Sequence, residues 1–245
     1  TYAVPIQPRV VKAIQTTDDA EAIIEAASAG TLCVLAAGTH TSNTVIAVPS
    51  GVDVIGEGWQ STIITGNPAG STNPLFQCEG NNTFSGLNMI CTTAGQCVQL
   101  KTSATPSDVT VRSCRLEAPT DDLVCNPSSG GRQRLLVEDS LIVCDAWDGI
   151  AVVAADATIE VRQSTFTGSH YGVYALLTAQ DLSVTISDCR FDFDQTGDVN
   201  SFPINVTIAA GAGRGNICVK GTTFDVRASG GSSNGHINAR GGADG

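Results

Sequence analysis

Val111-Arg112-Ser113-Cys114-Arg115-Leu116 is the stretch that decides the fold, because five other hexads in the chain repeat its pattern. In each hexad the first residue is β-branched or aromatic, the third is Gly, Ser, Asp or Gln, the fourth is usually small, and the sixth is Leu, Ile, Met or Phe. The other hexads cover residues 84–89, 137–142, 161–166, 186–191 and 219–224. Successive hexads begin 27, 26, 24, 25 and 33 residues apart, and such a period indicates a solenoid whose coils pack only against their neighbours.

The positions of the apolar residues within each hexad indicate the type of solenoid. A straight strand would point positions one, three and five to the same side, whereas here positions one, four and six are apolar or small. Each hexad is therefore predicted to be a strand, a one-residue bend at position three, and a second strand. Further short apolar runs follow the hexads, at residues 97–100, 149–153, 172–176 and 204–208. About three short strands per coil predict an all-β fold, a right-handed single-stranded parallel β-helix.

Position four of the hexads is predicted to point inward and to form one stack at the bend. Most of its members are small, so a larger side chain there is expected to overpack the interior. The members are Leu87, Cys114, Ser140, Ser164, Cys189 and Thr222.

The repeat continues without a linker-like break, so residues 1–245 are predicted to form a single domain. Residues 18–29 are predicted to be a short helix that covers the N-terminal end of the coils, which extend over residues 31–242. This segment begins with a capping-box-like Asp18-Asp19-Ala20-Glu21. Its predicted apolar face contains Ala22, Ile23, Ala26 and Ala27.

The C-terminal end has no matching amphipathic helix. Residues 235–240 repeat the second-strand pattern of the earlier coils and are followed by a few Gly-rich residues. An uncovered coil would leave backbone donors and acceptors unpaired, so this end is predicted to associate with a second copy, unless residues 229–234 fold back over it or a further domain covers it.

Composition excludes several classes of partner. The net charge is −11, and only three residues are Lys, which argues against nucleic acid and anionic membrane surfaces. No apolar run approaches the length of a membrane span, and no signal peptide is present, so Thr1 resembles a processed mature end. Nine Cys beside a single Met indicate an oxidising compartment, and the protein is predicted to be secreted. Asn81-Asn82-Thr83 and Asn205-Val206-Thr207 would then be N-glycosylation acceptors.

The coil phase limits which cysteines can form a disulfide. Cys114 and Cys189 share position four but lie three coils apart, roughly 14 Å at about 4.8 Å per coil, which is too far for a bridge. Cys97 follows its hexad start by 13 residues and Cys125 follows its own by 14. Because they occupy nearly the same phase of adjacent coils, Cys97–Cys125 is the predicted disulfide.

Three polar residues recur at nearly the same distance from their hexad starts. Asp122 follows residue 111 by 11, Asp148 follows residue 137 by 11, and Gln96 follows residue 84 by 12. The two carboxylates are therefore predicted to stack on one outer face, roughly 5 Å apart, with the amide on the coil before. Such a pair splits its pKa values into an ionised nucleophile or base and a protonated acid. The structural alternative is a turn at Asp148 and a solvated loop at Asp121-Asp122.

Several sequence blocks carry a family resemblance. Residues 10–67, with the runs AAGTH, PSGVDVIGEG and STIITGN, resemble the opening of the pectinase-type β-helix families. The blocks GQCVQL (95–100), SCRLEAPTDDLV (113–124), GRQ (131–133) and DAWDGIAV (145–152) are similar, in that order, to those of pectin methylesterases. The resemblance implies a carboxylesterase that acts on a methyl-esterified polyuronide, a polysaccharide partner, and no cofactor or metal.

The same resemblance implies roles for individual residues. Gln96 would stabilise the oxyanion, Asp122 would be the acid/base, Asp148 the nucleophile, and Arg214 in GAGRGN the family's arginine. The chain departs from the family pattern where Asp121 replaces a Gln, where Gly149-Ile150-Ala151-Val152 replaces an aromatic run, and where no Pro-Trp follows the arginine. Trp147 and Tyr174 are predicted to flank the carboxylates as sugar-stacking platforms, with Asp121 beside them in the binding site.

Other interpretations stay open at this point. His170 and Tyr171 in GSHYG resemble the Gly-His-Gly of polygalacturonases, although other blocks of that family are missing. Asp192, Asp194 and Asp198 alternate like calcium ligands, with a solvated acidic loop as the alternative. The rival to an enzyme is a non-catalytic structural, adhesive or filament-forming β-helix subunit of an extracellular or coat assembly.

Overall fold

The computed structural model describes residues 9–68, 73–92, 95–100, 106–125, 132–145, 147–153, 156–177, 181–195, 202–208, 215–228 and 237–240. These residues form one helix and 25 strands, and all strand pairs belong to three parallel sheets. From β2 onward the chain visits the first, second and third sheets in turn, so each coil contributes one strand to each sheet. The predicted right-handed parallel β-helix is confirmed.

Within each sheet the strands lie side by side in chain order. The first sheet contains β1 (Val10–Ile14), β2 (Thr31–Leu35), β5 (Asp53–Gly56), β8 (Asn82–Ser85), β11 (Ser107–Arg112), β14 (Gln133–Glu138), β17 (Ala157–Arg162), β20 (Leu182–Ser187) and β23 (Gly215–Lys220). The second contains β3 (Gly38–Thr41), β6 (Thr62–Gly66), β9 (Asn88–Cys91), β12 (Arg115–Glu117), β15 (Leu141–Cys144), β18 (Thr165–Gly168), β21 (Arg190–Gln195) and β24 (Thr223–Ala228). The third contains β4 (Ile46–Val48), β7 (Pro74–Cys78), β10 (Gln96–Leu100), β13 (Leu123–Cys125), β16 (Ile150–Val153), β19 (Val173–Leu177), β22 (Ile204–Ile208) and β25 (Ile237–Arg240).

The bend between the first and second sheets has the same geometry in all six hexads. Position three adopts a left-handed backbone, which turns the chain within one residue and lets position four point inward again. The φ angles are 65° at Gly86, 50° at Ser113, 50° at Asp139, 48° at Gln163, 54° at Asp188 and 60° at Gly221. The predicted one-residue bend is confirmed.

Position four forms the predicted inward stack. Cys114, Ser140 and Ser164 are at most 4% exposed. The main-chain N–H of Cys114 donates to Ser140 Oγ, and the N–H of Ser140 donates to Ser164 Oγ, both at 3.2 Å. Each serine hydroxyl in turn donates to the carbonyl two residues earlier, at 2.8 and 2.7 Å. Thr222, the last member, is only half-buried.

Aromatic rings stack from coil to coil inside the second sheet. The rings of Phe166 and Phe191 lie 4.6 Å apart and nearly parallel, at 5°. Phe191 stacks in the same way on Phe224, at 5.1 Å and 14°. These three residues form a phenylalanine column that crosses three coils of the core.

The N-terminal helix α1 is shorter than predicted and presents a different face. It extends over Ala20–Glu25, and the side chain of Asp19 caps it by accepting the N–H of Ala22. The sequence assignment placed Ala22 and Ala26 on the apolar face, but both are exposed, and the buried positions are Ala20, Ile24 and Ala27. Residues 20, 24 and 27 are four and three positions apart, which is the spacing of one helical face, whereas residues 22 and 26 lie on the opposite side.

The helix lies against β4, the first strand of the third sheet. The side chain of Glu25 accepts the main-chain N–H of Ala47 in that strand, at 2.9 Å. One strand, β1, was missed by the sequence analysis, although it pairs with β2 over five residues.

At the other end β25 pairs with β22, which confirms the pattern read in residues 235–240. Apolar residues of the last coil remain only partly buried, whereas their counterparts in the middle coils are fully buried. The partly buried residues are Ile217, Val219, Phe224 and Val226. Residues 229–234 lie outside the described residues.

The strands also correct the expected surroundings of the alternating Asp residues. Asp192 and Asp194 lie in β21 and not in an acidic loop, and Asp192 forms ion pairs with Arg190 and Arg227. Asp198 lies outside the described residues.

The predicted disulfide Cys97–Cys125 does not form, and all nine Cys are free thiols. The strand register places Cys125 opposite Leu100, three residues beyond Cys97. Three residues of strand separate the two positions by roughly 10 Å, which no disulfide spans.

Candidate functional site

Four polar or aromatic residues from successive coils share one line at the start of the third sheet. The register pairs Val98 with Leu123, Leu123 with Ile150, and Ile150 with Val173. Two residues before each of these positions lie Gln96, Asp121, Asp148 and Tyr171. We call these four residues the carboxylate row. Cys97, Asp122, Gly149 and Gly172 follow one residue later and form the buried row.

The register corrects the predicted pairing of carboxylates. Equal distances from the hexad starts placed Asp122 opposite Asp148, but Asp121 lies there, and Asp122 lies opposite Gly149. The main-chain N–H of Asp122 accordingly donates to the carbonyl of Asp148 at 3.0 Å. The prediction that Asp122 and Asp148 stack as partners is therefore wrong by one residue.

The cause is the corner between the second and third sheets, which varies in length. We count the corner as the residues between equivalent paired positions of the second and third sheets. It contains seven residues (91–97) in one coil, and five (118–122), six (144–149) and five (168–172) in the next three coils. The extra residue in the third of these corners shifts Asp148 back by one position relative to Asp121. A count from the hexad start cannot detect this shift.

Asp148 is nearly buried and is held by a histidine on the next coil. Its side chain is 6% exposed, and its Oδ1 lies 2.8 Å from His170 Nδ1. Burial raises the pKa of Asp148 above its usual range, and the bond and charge of His170 partly oppose this effect. Gly149, which follows Asp148, must lack a side chain, because a Cβ there would lie 2.6 Å from Cys144 Sγ and 2.8 Å from the Gly172 carbonyl oxygen.

Asp121 is the second carboxylate of the row and is only half-buried. Its side chain accepts a hydrogen bond from the main chain of Asp148. Burial, and then the negative charge of Asp148, raise the pKa of Asp121 to about 6. Asp121 is therefore protonated in about half of the molecules near pH 6, while His170 opposes the effect of burial on the pKa of the neighbouring Asp148.

Asp122 points away from solvent into a cluster of thiols. It is 1% exposed, Cys97 Sγ lies 3.8 Å from its Oδ1, and its Oδ2 has no hydrogen-bond partner among the described residues. Burial raises the pKa of Asp122 well above its usual range, and the nearby Cys91 and Asp121 raise it further. A neutral carboxyl at this depth cannot contact a polymeric substrate, so we do not assign it the acid/base role.

Gln96 lies in the carboxylate row one coil before Asp121. The sequence predicted an amide in this place, on the coil before the two carboxylates. Its side chain is buried, and its Oε1 has no hydrogen-bond partner among the described residues. An unpaired amide at such a depth is costly, and a ligand group that approaches the row would relieve it.

Aromatic rings border the carboxylate row on the next coils. Trp147 is 55% exposed, and its ring centre lies 5.6 Å from that of His170. His170 contacts Tyr171 at 4.6 Å, and Tyr171 stacks on Tyr174 at 5.3 Å. The rings of Trp147, His170, Tyr171 and Tyr174 thus form a continuous aromatic border beside Asp148.

His170 was not assigned to this site from the sequence, where it entered only through the polygalacturonase-like GSHYG. The strand register places residue 170 opposite residue 147, directly before the carboxylate row, and no spacing within the sequence indicates this contact. Arg214, the remaining predicted catalytic residue, lies outside the described residues.

The described residues contain no group of three or more His, Cys, Asp or Glu side chains placed to hold a metal ion. None of the helices among them is long and apolar enough to cross a bilayer. Two open depressions of about 390 and 420 Å³ lie on the outer face of the first sheet and share Asn81, Asp108 and Arg134. Their charged groups are engaged with each other, as in the 2.8 Å pair of Arg9 with Asp53. We place the candidate site at the carboxylate row because two carboxylates with raised pKa values converge there beside a histidine.

Comparison with solved structures identifies the fold. The pectin methylesterase from Aspergillus niger aligns with a TM-score of 0.51 and 8% identity over 94% of this chain and 89% of that one. The PL6 family alginate lyase AlyGC aligns with a TM-score of 0.57 and 11% identity over 97% of this chain and 41% of that one. The alginate lyase from Paenibacillus sp. gives 0.51 and 13% over 93% and 99%.

At these identities the likeness establishes the parallel β-helix fold and not a reaction. No protein-family model matches the sequence, and no curated protein matches it either.

Proposed function

We propose that this protein is a secreted, polysaccharide-active β-helix enzyme, a carboxylesterase that acts on a methyl-esterified polyuronide. The observation that carries the proposal is the pair of carboxylates in unlike surroundings, Asp148 bonded to His170 and Asp121 with a pKa near 6. Such a pair supplies an anion and a proton donor at the same pH. The aromatic border beside it offers the flat apolar surfaces on which sugar rings stack.

In the proposed reaction the Asp148 carboxylate attacks the ester carbonyl carbon. The bond from that carbon to the methoxy oxygen breaks, and Asp121 transfers its proton to the departing oxygen, which leaves as methanol. Water then attacks the acyl-enzyme, Asp121 takes up its proton, and the Asp148 carboxylate is regenerated with the free uronate. The Gln96 amide is assigned to the developing oxyanion.

His170 has a positioning role in this scheme. Through Nδ1 it holds Oδ1 of Asp148, so the other carboxylate oxygen is left to face the substrate. Its ring is fixed between Trp147 and Tyr171, and its main-chain N–H donates to the carbonyl of Cys144 at 3.1 Å.

Charge supports an esterified substrate over a free polyuronate. Asp121 and Asp148 lie close together, and the chain carries a net charge of −11. A methyl ester is neutral and approaches these groups without repulsion, whereas an ionised uronate does not.

The test is release of methanol from highly methyl-esterified pectin by the purified protein. We expect release by the wild type and a loss of at least about 10²-fold in the Asp148→Asn variant, with an unchanged melting temperature. Two parallel assays distinguish esterase activity from other reactions. Ultraviolet absorbance detects the unsaturated ends that a lyase produces, and a reducing-end assay detects the ends that a glycosidase produces without methanol. Either of these products in the absence of methanol overturns the esterase assignment.

A second function, self-stacking, is favoured by the last coil. Its apolar residues Ile217, Val219, Phe224 and Val226 are only partly buried, and a second copy could cover them. Sedimentation at micromolar concentration tests this proposal, since a single species of one chain mass contradicts self-stacking.

A further inference from the structure

Two buried thiols meet at the corner that joins β9 to β10. Cys91 ends β9 and is 4% exposed, and Cys97 lies in β10 and is fully buried. The Cys91 thiol donates to the carbonyl of Gln96, the residue bonded to Cys97, at 3.0 Å. The Cys97 thiol donates to the carbonyl of Met89 in the strand that carries Cys91, at 3.4 Å. Each thiol thus reaches the backbone beside the other, and each side chain affects the pKa of its neighbour.

Other buried thiols have a different environment. Cys114, Cys144 and Cys189 each donate to the carbonyl two residues earlier in the same strand or bend. Cys125, the partner predicted for Cys97 from the sequence, lies three residues along the neighbouring strand. The crossed hydrogen bonds of Cys91 and Cys97 therefore distinguish this pair from the thiols that only fill the core.

We propose that Cys91 and Cys97 form an intramolecular disulfide when the protein meets a low-molecular-weight disulfide such as oxidised glutathione. The Cys91 thiolate attacks one sulfur of the oxidant, forms a mixed disulfide and releases one glutathione thiolate. Cys97 then loses its proton to solvent and attacks Cys91 Sγ, which forms the internal bond and releases the second glutathione. The two cysteines are oxidised by two electrons, and the oxidant is reduced to two thiols.

The roles of the two sulfurs follow from their surroundings. Cys91 is the more accessible of the two, and the hydrogen bond from Cys97 lowers its pKa, so it is the first nucleophile. Burial raises the pKa of Cys97 well above its usual range, which suits a resolving thiol that reacts only with an adjacent sulfur.

The corner is built to bring the two residues together. It contains seven residues, more than the next three corners, and Gly95 within it adopts a φ of 97°. A Cβ at Gly95 would lie 2.4 Å from the Asn73 carbonyl oxygen, so the turn requires glycine. The Thr120 hydroxyl of the next coil holds the Gly95 carbonyl.

The test is mass spectrometry of thiols after equilibration of the whole chain in glutathione buffers of increasing oxidised fraction. The protein is acid-quenched, unfolded and alkylated, so that only free thiols gain the label. In oxidising buffer we expect Cys91 and Cys97 to be unlabelled and linked in one peptide, while the other seven cysteines are labelled. The melting temperature is expected to rise by a few degrees, because the bond restrains the unfolded chain.

Variants make the result specific. Cys91→Ser should leave Cys97 labelled at every redox ratio, and Cys97→Ala should leave Cys91 labelled or capped by glutathione. Cys114→Ser is the matched control, since serine already occupies the same hexad position at Ser140 and Ser164, and it should leave the pair linked.

Full labelling of all nine cysteines in the wild type under oxidising conditions overturns the proposal, as does a link from Cys97 to any other cysteine. Because the readout is mass and not activity, it is independent of the proposed esterase function.

Discussion

The two corners of each coil behave in opposite ways. At the bend between the first and second sheets, positions one and six of every hexad are five residues apart and position three is always left-handed. At the corner between the second and third sheets, the number of residues varies from five to seven in four successive coils. The constant bend contains the small, hydrogen-bonded stack of the core, whereas the variable corner carries Gln96, Asp121 and Asp148. The constant bend thus keeps the core regular, whereas the variable corner allows each coil to present a different side chain at the candidate site.

The largest expected effect separates the two adjacent aspartates of the variable corner. Asp121→Asn should lower the rate of methanol release by about 10²-fold or more, because it removes the proton donor. Asp122→Asn should stay within about tenfold of the wild type, because Asp122 is buried and neutral and the amide has nearly the same shape. Steady-state kinetics on esterified pectin measure both. If the ranking were reversed, the catalytic pair would be Asp122 and Asp148 after all, and the register argument would fail.

The next effect concerns the constant bend. Ser164→Leu should lower the free energy of unfolding by on the order of 1–3 kcal/mol, because the position four stack has no room for a branched side chain. Urea denaturation followed by circular dichroism measures the loss. Ser164→Cys is the control and should cost less than about 1.5 kcal/mol, since cysteine fills the same position at residues 114 and 189. A wild-type stability for Ser164→Leu would contradict the close packing of the bend.

The pH dependence of the rate tests the environment of the variable corner. Asp121 has a raised pKa of about 6, so its proton-donating form is present below pH 6 and is lost above it. The rate constant kcat should therefore fall by about tenfold per pH unit above pH 6. In His170→Gln the carboxylate of Asp148 loses its cationic neighbour, and the profile should shift. If the decline in kcat above pH 6 persisted unchanged in Asp121→Asn, it would have to come from the titration of another group.

The same raised pKa has a consequence for stability with a definite sign. Between the ordinary Asp pKa of 3.8 and about 6, the folded chain binds more protons at Asp121 than the unfolded chain does. Stability therefore falls as the pH rises through this interval. Asp121→Asn should remove that part of the pH dependence.

The smallest effect is expected at position three. Gln163 has a φ of 48°, which a side chain adopts at a cost of about 1–2 kcal/mol. Gln163→Gly relieves this cost but gives the unfolded chain more freedom, so a net gain of a few tenths of a kcal/mol is expected by urea denaturation. At the equivalent Gly86 a Cβ would lie 2.7 Å from the Gly56 carbonyl oxygen, so Gly86→Ala should be destabilising. Equal stabilities for these two variants would contradict a steric difference between the coils.

The difference between the corners also explains how far the sequence could be interpreted. Hexad residues such as Val111, Ser113 and Cys114 repeat at fixed spacing, so the coils, the bend and the inward stack could be predicted. The sequence could place Asp148 among the candidate site residues, but it could not show that Asp121 and not Asp122 lies opposite. The reason is that the one additional residue among 144–149 lies in a segment with no repeated spacing. His170 and Cys91 approach their partners across coils or corners, and no local spacing indicates such contacts.

The phenylalanine column has a consequence for cooperativity. In a stack of coils, each interface has its own coupling free energy, and weakly coupled neighbours can unfold separately. Phe166, Phe191 and Phe224 stack on one another across two such interfaces, and aromatic pairs add about 0.5–1.5 kcal/mol each beyond their burial. The coil that supplies His170 also contains Phe166, so the coil that positions Asp148 is coupled to the two coils that follow it. Those coils are thereby expected to open as one unit with the site and not to fray away from it.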